Sequence, residues 1–403
     1  MRFLFYSHDG LGLGHTRRHL AIAKALTQLA PEVSVLLASG AEEIIRFGLP
    51  RHVDVLKLPG LRKITNEQYL SRRLQMSASE IRSLRSALLE TAVKSFRPTV
   101  VLVDKHPFGA KGEFRDGLEA LRLQGGRAVL GLRDILDQPS AVLREWAAYD
   151  MQELIERFYD LVLIYGEQAI FDPISAYEFS PAMTQRTRFC GYVVDRDQDE
   201  MRGDFARPFE LQDRSRPVVL GTAGGGEDGF FLLETFIGAS AGAPWQAIAV
   251  AGPMTSRQEY RRLKSLAVRA QVGLYTFVPN LPSLFSSVDA LVSMGGYNSL
   301  AEAVSKGVPT VCVPRTSPRI EQWLRATAFE RLGLLSVLRP EEINADKLSV
   351  AIRAATGCSR QELRNRARRK LGFEGAEAAA AHLLALAADP TLVAAPADEK
   401  VIP

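Results

Sequence analysis

The sequence predicts an α/β protein of two doubly wound domains that face each other across a cleft. Three observations predict it. Short apolar runs alternate with segments of helical periodicity. The alternation stops at a charged stretch, Asp195 to Arg216, and then begins again. Several of the runs end in glycine-rich turns. Continuous apolar strands suit a parallel sheet buried on both faces, and two alternating series call for two such sheets. A chain of 403 residues is long enough for two cores.

The elements follow in order. Phe3–Ser7 is a strand, and Asp9-Gly-Leu-Gly-Leu-Gly-His15 is the turn that leaves it. Leu20, Ala23, Leu26 and Leu29 then fall at helical spacing. Val33–Ala38 and Val53–Leu56 are further strands. Leu74, Ala78, Ile81, Leu84, Leu88, Ala92 and Phe96 predict a long amphipathic helix. Val100–Val103, Ala128–Leu132 and Leu161–Ile164 complete the first series. Asp195–Arg216 is charged, carries Pro208 and reads as a linker. The second series is Pro217–Gly221, Ala247–Ala251, Gly273–Phe277, Ala290–Ser293 and Thr310–Val313. The expected division is 1–194 for a first domain, 195–216 for the linker, 217–372 for a second domain, and 373–403 for a C-terminal helix and loose tail. Both domains are expected to be Rossmann-like, with ligands beyond the carboxyl ends of their strands.

Composition narrows the class. Hydrophobic residues make up 46% and charged residues 24%, which excludes a collagen, a coiled coil or a largely disordered chain. Cys190, Cys312 and Cys358 are too few and too far apart for a disulfide framework or a cysteine zinc cluster, and they suit a reducing compartment. No apolar run approaches the roughly 18 residues of a membrane span, and Met1–Tyr6 is too short for a signal-peptide core. A cytoplasmic protein is expected. The net charge of +4 is too small to name a nucleic-acid partner. Between Lys57 and Arg97, however, nine Lys or Arg face three Glu. That stretch is either a solvated helix face or a peripheral contact with anionic lipid at the inner face of a membrane.

Three strand-to-helix loops can carry chemistry. In the first, Gly12 and Gly14 let backbone N–H groups approach an anion, and His15 opens the helix, where a neutral imidazole can take a proton. A polar helix cap is the plainer reading of His15. NAD binding fits poorly, because His15 stands at the third glycine of that fingerprint. A metal held by His15 and His19 is disfavoured by Arg17 and Arg18. The second loop, Gly221-Thr-Ala-Gly-Gly-Gly226, is a phosphate cradle or a plain turn; Glu227 stands where a Walker A lysine would be. The third runs from Ser293 through Gly295, Gly296, Asn298, Ser299 and Glu302 to Pro314. Asn298 and Ser299 lie at a helix N-terminus where phosphate oxygens bind, and a carboxylate at Glu302 can accept two ribose hydroxyls. Arg315–Gln322 then places Glu321 and Gln322 after another strand.

The third segment, G-G-x-N-S-x-x-E-A-x-x-x-G-V-P followed by P-x6-E-Q, resembles the donor signature of GT-B glycosyltransferases, family 28 most closely. The likeness extends over about residues 1–370. It implies a metal-independent transfer, inverting at the anomeric carbon, from a nucleotide-diphosphate sugar, UDP-linked. It implies that Glu302 holds the ribose, that Glu321 and Gln322 contact the donor sugar, and that Thr222, Gly224, Gly225, Gly295, Gly296, Asn298 and Ser299 bind the diphosphate. It further implies that the backbone of Phe277 and Val278 reads the base and that His15 is the catalytic base. Asp195-Arg-Asp197 and Asp197-Gln-Asp199 imitate the metal motif of the other glycosyltransferase fold but fall in the linker, as solvated charges. Where the family has a second glycine-rich acceptor loop, this chain has Asp104–Glu113, with Lys105 and His106 on the acceptor side. The acceptor is a glycan, a lipid-linked compound or a small molecule. Gly-x-Gly-His-x-x-Arg also resembles nucleotide-sugar hydrolases, so a hydrolase or epimerase, and a non-catalytic nucleotide-sugar-binding subunit, are the rivals.

Overall fold

The computed structural model describes residues 1–8, 14–41, 44, 48–63, 69–195, 215–226, 228–278 and 280–389. Its first domain runs β1 (Arg2–Ser7), α1 (Gly14–Leu29), β2 (Ser34–Ser39), β3 (Val53–Lys57), β4 (Leu61–Lys63), β5 (Tyr69–Ser71), α2 (Ala78–Phe96), β6 (Val100–Asp104), α3 (Arg115–Leu123), β7 (Arg127–Arg133), α4 (Pro139–Ala147), α5 (Met151–Phe158), β8 (Leu161–Tyr165), α6 (Pro173–Ala176), α7 (Pro181–Gln185) and β9 (Thr187–Phe189). The second runs β10 (Val218–Thr222), α8 (Phe230–Ser240), β11 (Gln246–Val250), α9 (Arg257–Ala270), β12 (Gly273–Tyr275), β13 (Ala290–Ser293), α10 (Tyr297–Ser305), β14 (Thr310–Cys312), α11 (Glu321–Arg331), β15 (Ser336–Val337), α12 (Ala345–Thr356) and α13 (Arg360–Lys370). The last helix, α14 (Gly375–Ala387), returns to the first domain and packs along α1.

Both sheets are parallel and share one topology. The first has the order β3-β2-β1-β6-β7-β8-β9 and the second β12-β11-β10-β13-β14-β15. In each, the order reverses beside the first strand, and ligands bind at that switch point. In domain one the switch aligns Ser7 with Asp104, so His8 and Lys105 leave adjacent strands side by side. In domain two it aligns Thr222 with Ser293, so the two glycine loops flank one crevice. The fold thereby brings together segments about 70 to 100 residues apart in sequence.

Apolar side chains bury both faces of the strands; Phe3, Phe5, Val100 and Val129 lie on one side of the first sheet, and Leu4, Val101, Leu130 and Ile164 on the other. The first of these cores continues into domain two through Tyr297, Leu300, Val304 and Phe329. The chain crosses between domains near Tyr192 and again near Gly372, where Tyr192 N donates to Gly372 O at 2.8 Å. A Cβ on Gly375 would lie 2.6 Å from the Gly191 carbonyl, so the paired crossings need glycine there.

Several expectations need correction. The amphipathic helix starts at Ala78, because Ser77 and Glu80 form a capping box, and Leu74 lies outside it and exposed. The Lys57–Arg97 stretch is not one solvated basic face. Arg85 is fully buried, with Nε and Nη2 each 2.6 Å from Glu113. The expected strand to Phe277 ends at Tyr275, so Phe277 and Val278 sit in the loop beyond it. Asp195 is no free solvated charge: it meets Lys24 Nζ at 3.3 Å. Asp197, Asp199, most of the linker and Gly12 lie outside the described residues.

Candidate active site

Domain one gathers four histidines and a carboxylate at its switch point. His15 is the second residue of α1. Its Nδ1 lies 3.1 Å from Asp104 Oδ2, at the end of β6. Arg18, one helical turn on, donates to that same oxygen from Nη2 at 2.7 Å and Nε at 3.2 Å, and its Nη2 is 3.0 Å from His15 Nδ1. In this group Oδ2 is the shared acceptor. With the imidazole proton assigned to Nδ1, facing Asp104, Nε2 is the basic nitrogen. Burial alone would push Asp104 up. The Arg18 guanidinium, with His15 behind it, outweighs that and holds the carboxyl well below its ordinary value.

The other histidines complete this wall. The His8 ring lies 5.5 Å from that of His15 and 4.6 Å from that of His106. Burial, with His106 and His15 alongside, pushes His8 well below its ordinary value and keeps it neutral. Its Nδ1 has no hydrogen-bond partner among the described residues. His19 is buried, 3.9 Å from Asp104, and burial pushes it down to about 4. Lys105 adopts φ 71°, and His106 N bonds back to Asp104 O at 3.0 Å. Such a tight turn at a non-glycine residue is strained and concentrates at functional sites.

Domain two presents backbone instead. Thr222 ends β10, and its Oγ1 accepts from Gly224 N at 3.2 Å. Gly224 (φ 65°) and Gly226 (φ 88°) use backbone conformations that side chains resist. No atom lies within 4 Å of where a Cβ would stand on Gly224, Gly225 or Gly296, so these three face open space. Gly295 instead packs on the start of α11: a Cβ there would meet Gln322 O at 2.7 Å. Gly296 caps α10 with no side-chain hydrogen bond, which leaves the first-turn N–H groups for an anion. Ser299 is half-buried in that first turn.

Two carboxylates flank these loops. Glu302 is buried, and burial raises its pKa. Its Oε1 accepts from Asp195 N at 3.2 Å and faces Arg17 at 3.8 Å, while Oε2 is buried with no partner among the described residues. Glu321 is also buried; Oε1 accepts from Arg315 Nη2 at 2.8 Å, and Oε2 has no described partner. Burial would raise Glu321, but Arg133, Arg315 and Arg325 hold it below the ordinary value. Gln322 Oε1 accepts from Arg315 N at 3.1 Å.

The walls are tied to each other. Asn298, expected at a phosphate, donates to Gly14 O at 2.9 Å and accepts from Arg18 at 3.4 Å. Arg325 of α11 is fully buried. It grips Asp134 of domain one through Nη2 at 2.6 Å and Nε at 2.8 Å, and reaches the Gly295 carbonyl at 3.1 Å. The Tyr297 ring lies between Arg18, 5.1 Å away, and Arg325, 5.5 Å away. A buried line of charge thus runs Asp104, Arg18, Tyr297, Arg325, Asp134 across the cleft. Sequence reading singles out His15, Glu302 and Glu321 as site residues, but not Asp104, Arg18, His8, Asp134 or Arg325. The available signals were an acid closing an apolar run, and an arginine one turn after a candidate base.

Comparison with known proteins adds to this geometry. Residues 241–382 match the glycosyltransferase family 28 C-terminal domain. The match takes in most of the second domain and runs on into α14. Among curated relatives, an NDP-glycosyltransferase YjiC of Bacillus subtilis is 29% identical over 186 residues, which cover 46% of this chain and 41% of the relative. A UDP-N-acetylglucosamine–N-acetylmuramyl-(pentapeptide) pyrophosphoryl-undecaprenol N-acetylglucosamine transferase of Bacillus pumilus is 25% identical over 160 residues, 38% of this chain and 43% of the relative. The matches thus span less than half the length of either relative. The calicheamicin glycosyltransferase CalG4 superposes with a TM-score of 0.60 at 18% identity, covering 96% of this chain and 98% of that one. Acinetobacter baumannii MurG gives 0.58 at 14% identity, covering 95% and 99%. The fold is GT-B, with two parallel α/β domains about a cleft.

Proposed function

We propose that the protein is a glycosyltransferase that moves a sugar from a nucleotide-diphosphate donor, UDP-linked, to an acceptor hydroxyl. The observation that carries this reading is the juxtaposition of the His15–Asp104 pair with a side-chain-free anion cradle across one cleft. The family 28 match over the cradle's own domain supports it. In this reading Gly224, Gly225 and the N-terminus of α10 receive the diphosphate. The Oε2 atoms of Glu302 and Glu321, buried with no partner among the described residues, accept hydroxyls of the ribose and of the donor sugar.

The chemistry follows from the atoms. His15 Nε2 takes the proton of the acceptor hydroxyl, and Asp104 stabilises the imidazolium through Nδ1. The acceptor oxygen bonds to the anomeric carbon as the bond to the diphosphate oxygen breaks, and the electron pair leaves with the diphosphate. Backbone N–H groups and the α10 dipole are already aimed at that developing charge. A single displacement in which the acceptor oxygen attacks the face opposite the departing diphosphate gives inversion. In this reading those backbone donors and the helix dipole are what offset the charge of the leaving group.

A peripheral contact with anionic lipid belongs to the same reading. Leu70, Leu74 and Leu84 are exposed, as are Arg73 and Arg82, in the segment that runs from β5 into α2. No helix among the described residues is long and apolar enough to cross a membrane. Co-sedimentation with anionic vesicles at low salt is expected; failure to co-sediment there removes this contact.

The test is a product assay. UDP-sugars are incubated with glycan, lipid-linked and small-molecule hydroxyl acceptors, and UDP, glycoside and free sugar are measured. Glycoside formed in step with UDP is expected. Free sugar alone would make the enzyme a hydrolase, and an isomerised nucleotide sugar an epimerase.

A further inference from the structure

We infer that Arg72, a residue of domain one, is the cation that grips the donor diphosphate from across the cleft. The inference rests on the nucleotide-sugar reading and adds a residue to it from outside the donor domain.

The need for such a cation is visible in the donor loops. Segments 221–226, 251–256 and 293–299 contain no lysine or arginine. Other arginines at the cleft are engaged by carboxylates. Arg18 is held by Asp104 and Arg325 by Asp134, while Arg315 joins Asp228 at 2.8 Å and Glu321. Arg17 faces Glu302. The backbone cradle alone would meet about two negative charges with partial ones.

Arg72 is placed to supply the charge. It follows β5, and its N–H donates to Gly60 O at 2.9 Å. Its stem lies along Gly60: a Cβ on that glycine would sit 3.4 Å from both Cβ and Cδ of Arg72. Backbone anchor and stem together aim the half-buried guanidinium out of domain one. It ends in domain two, with Nη2 3.7 Å from Met254 Sδ. Met254 belongs to the phosphate cradle, since its N–H donates to Gly225 O at 2.9 Å. The same turn packs so closely on the glycine loop that a Cβ on Gly252 would lie 2.6 Å from Gly224 O.

The present partner is a poor one. A thioether is a weak acceptor, whereas a guanidinium matches two phosphate oxygens with a planar fork of charge-assisted donors. A diphosphate on the cradle therefore displaces the sulfur as Arg72's partner. Because Arg72 and the cradle belong to different domains, this contact forms only when both walls are together. Donor binding thereby favours the closed cleft, and loss of the diphosphate after transfer removes that preference.

The experiment measures affinity for UDP and for uridine by titration calorimetry, on wild type, Arg72→Gln, Arg72→Lys and Arg73→Gln. Glutamine keeps the stem on Gly60 and removes the charge. Arg73→Gln removes the same charge from the neighbouring residue. Arg72→Gln is expected to weaken UDP binding by about tenfold or more, the usual worth of a charge-assisted hydrogen bond, and to leave uridine unchanged. Arg72→Lys should fall between, and Arg73→Gln should match wild type. Equal UDP affinity in Arg72→Gln and wild type would overturn the inference and leave the functional reading intact. Equal losses in Arg72→Gln and Arg73→Gln would overturn it as well, as a diffuse charge effect. No UDP binding by wild type would overturn the UDP-donor reading itself, and the Arg72 assignment with it.

Discussion

The two walls of the cleft do their work with opposite materials. The domain-two wall is glycine and backbone: Gly224, Gly225 and Gly296 face open space, and α10 offers unpaired N–H groups. The domain-one wall is side chains: His8, His15, Asp104 and His106, with Arg18 beneath. A backbone wall binds a ligand whose charge is fixed, because its donors neither titrate nor move. An imidazole wall suits a step in which a proton moves. On the proposed function, the difference separates recognition on one wall from reaction on the other.

Breaking the side-chain wall should cost most in rate. His15→Ala is expected to lower kcat by about 10²–10⁴-fold, with the thermal midpoint of the free protein little changed, since His15 is only partly buried. Steady-state kinetics and a melting curve check this. A fall in midpoint that matches the loss of rate would make His15 a helix-capping residue instead.

Cutting the tie between the walls should cost most in stability. Arg325→Ala leaves Asp134 buried without its bidentate partner, and loss of one member of such a pair costs about 3–5 kcal/mol. Chemical denaturation would measure it. A loss below about 1 kcal/mol, the range of exposed pairs, would mean that water reaches Asp134 in solution.

A side chain on the backbone wall should have a smaller effect, graded by position. Gly226→Ala forces φ 88° on an alanine whose Cβ would meet Thr255 Oγ1 at 2.4 Å, and strain of about 1–3 kcal/mol is expected. Gly225→Ala meets open space and should keep stability while obstructing the diphosphate. Denaturation midpoints alongside UDP titrations separate the two; equal behaviour of both variants would remove the distinction.

The buried histidines give the most gradual effect, spread over a range of pH. His19 sits near 4 in the folded protein against an ordinary 6.5. Between those values the unfolded chain binds a proton that the folded one refuses. Stability is therefore complete above about 6.5 and falls as pH drops toward 4, by about 1.4 kcal/mol per pH unit for one such group. His8, also lowered by burial, acts in the same direction. His19→Gln should flatten the profile of stability against pH over that range, and an unchanged slope would show that His19 is not the source.

The same contrast explains what was legible in the sequence. Much of the domain-two wall could be read because it is contiguous: Gly295, Gly296, Ser299, Glu302, Glu321 and Gln322 fall within 28 residues at fixed spacing. The long strands could be read because both their faces are buried. Thr187–Phe189 and Ser336–Val337 were missed, being edge strands of three and two residues with too little apolar pattern. The acceptor wall was hard to read because it is assembled by strand order. Asp104 reaches His15 only because β6 pairs with β1, 97 residues away at its first ladder position. Arg85 lies in the basic stretch that reads as a solvated helix face, and Arg325 lies in no segment that the sequence marks. Their partners, Glu113 and Asp134, come from other elements, so no local pattern marks them as buried.

The central claim is the division of labour between the walls, and one measurement tests it most directly. Single-turnover sugar transfer is followed against donor concentration for wild type, His15→Ala and Glu302→Ala. The account predicts that His15→Ala loses maximal rate by about 10²-fold or more at an unchanged half-saturating concentration, while Glu302→Ala raises that concentration and largely keeps the rate. Parallel loss of rate and donor affinity in both variants would contradict it, since the two walls would then act as a single site.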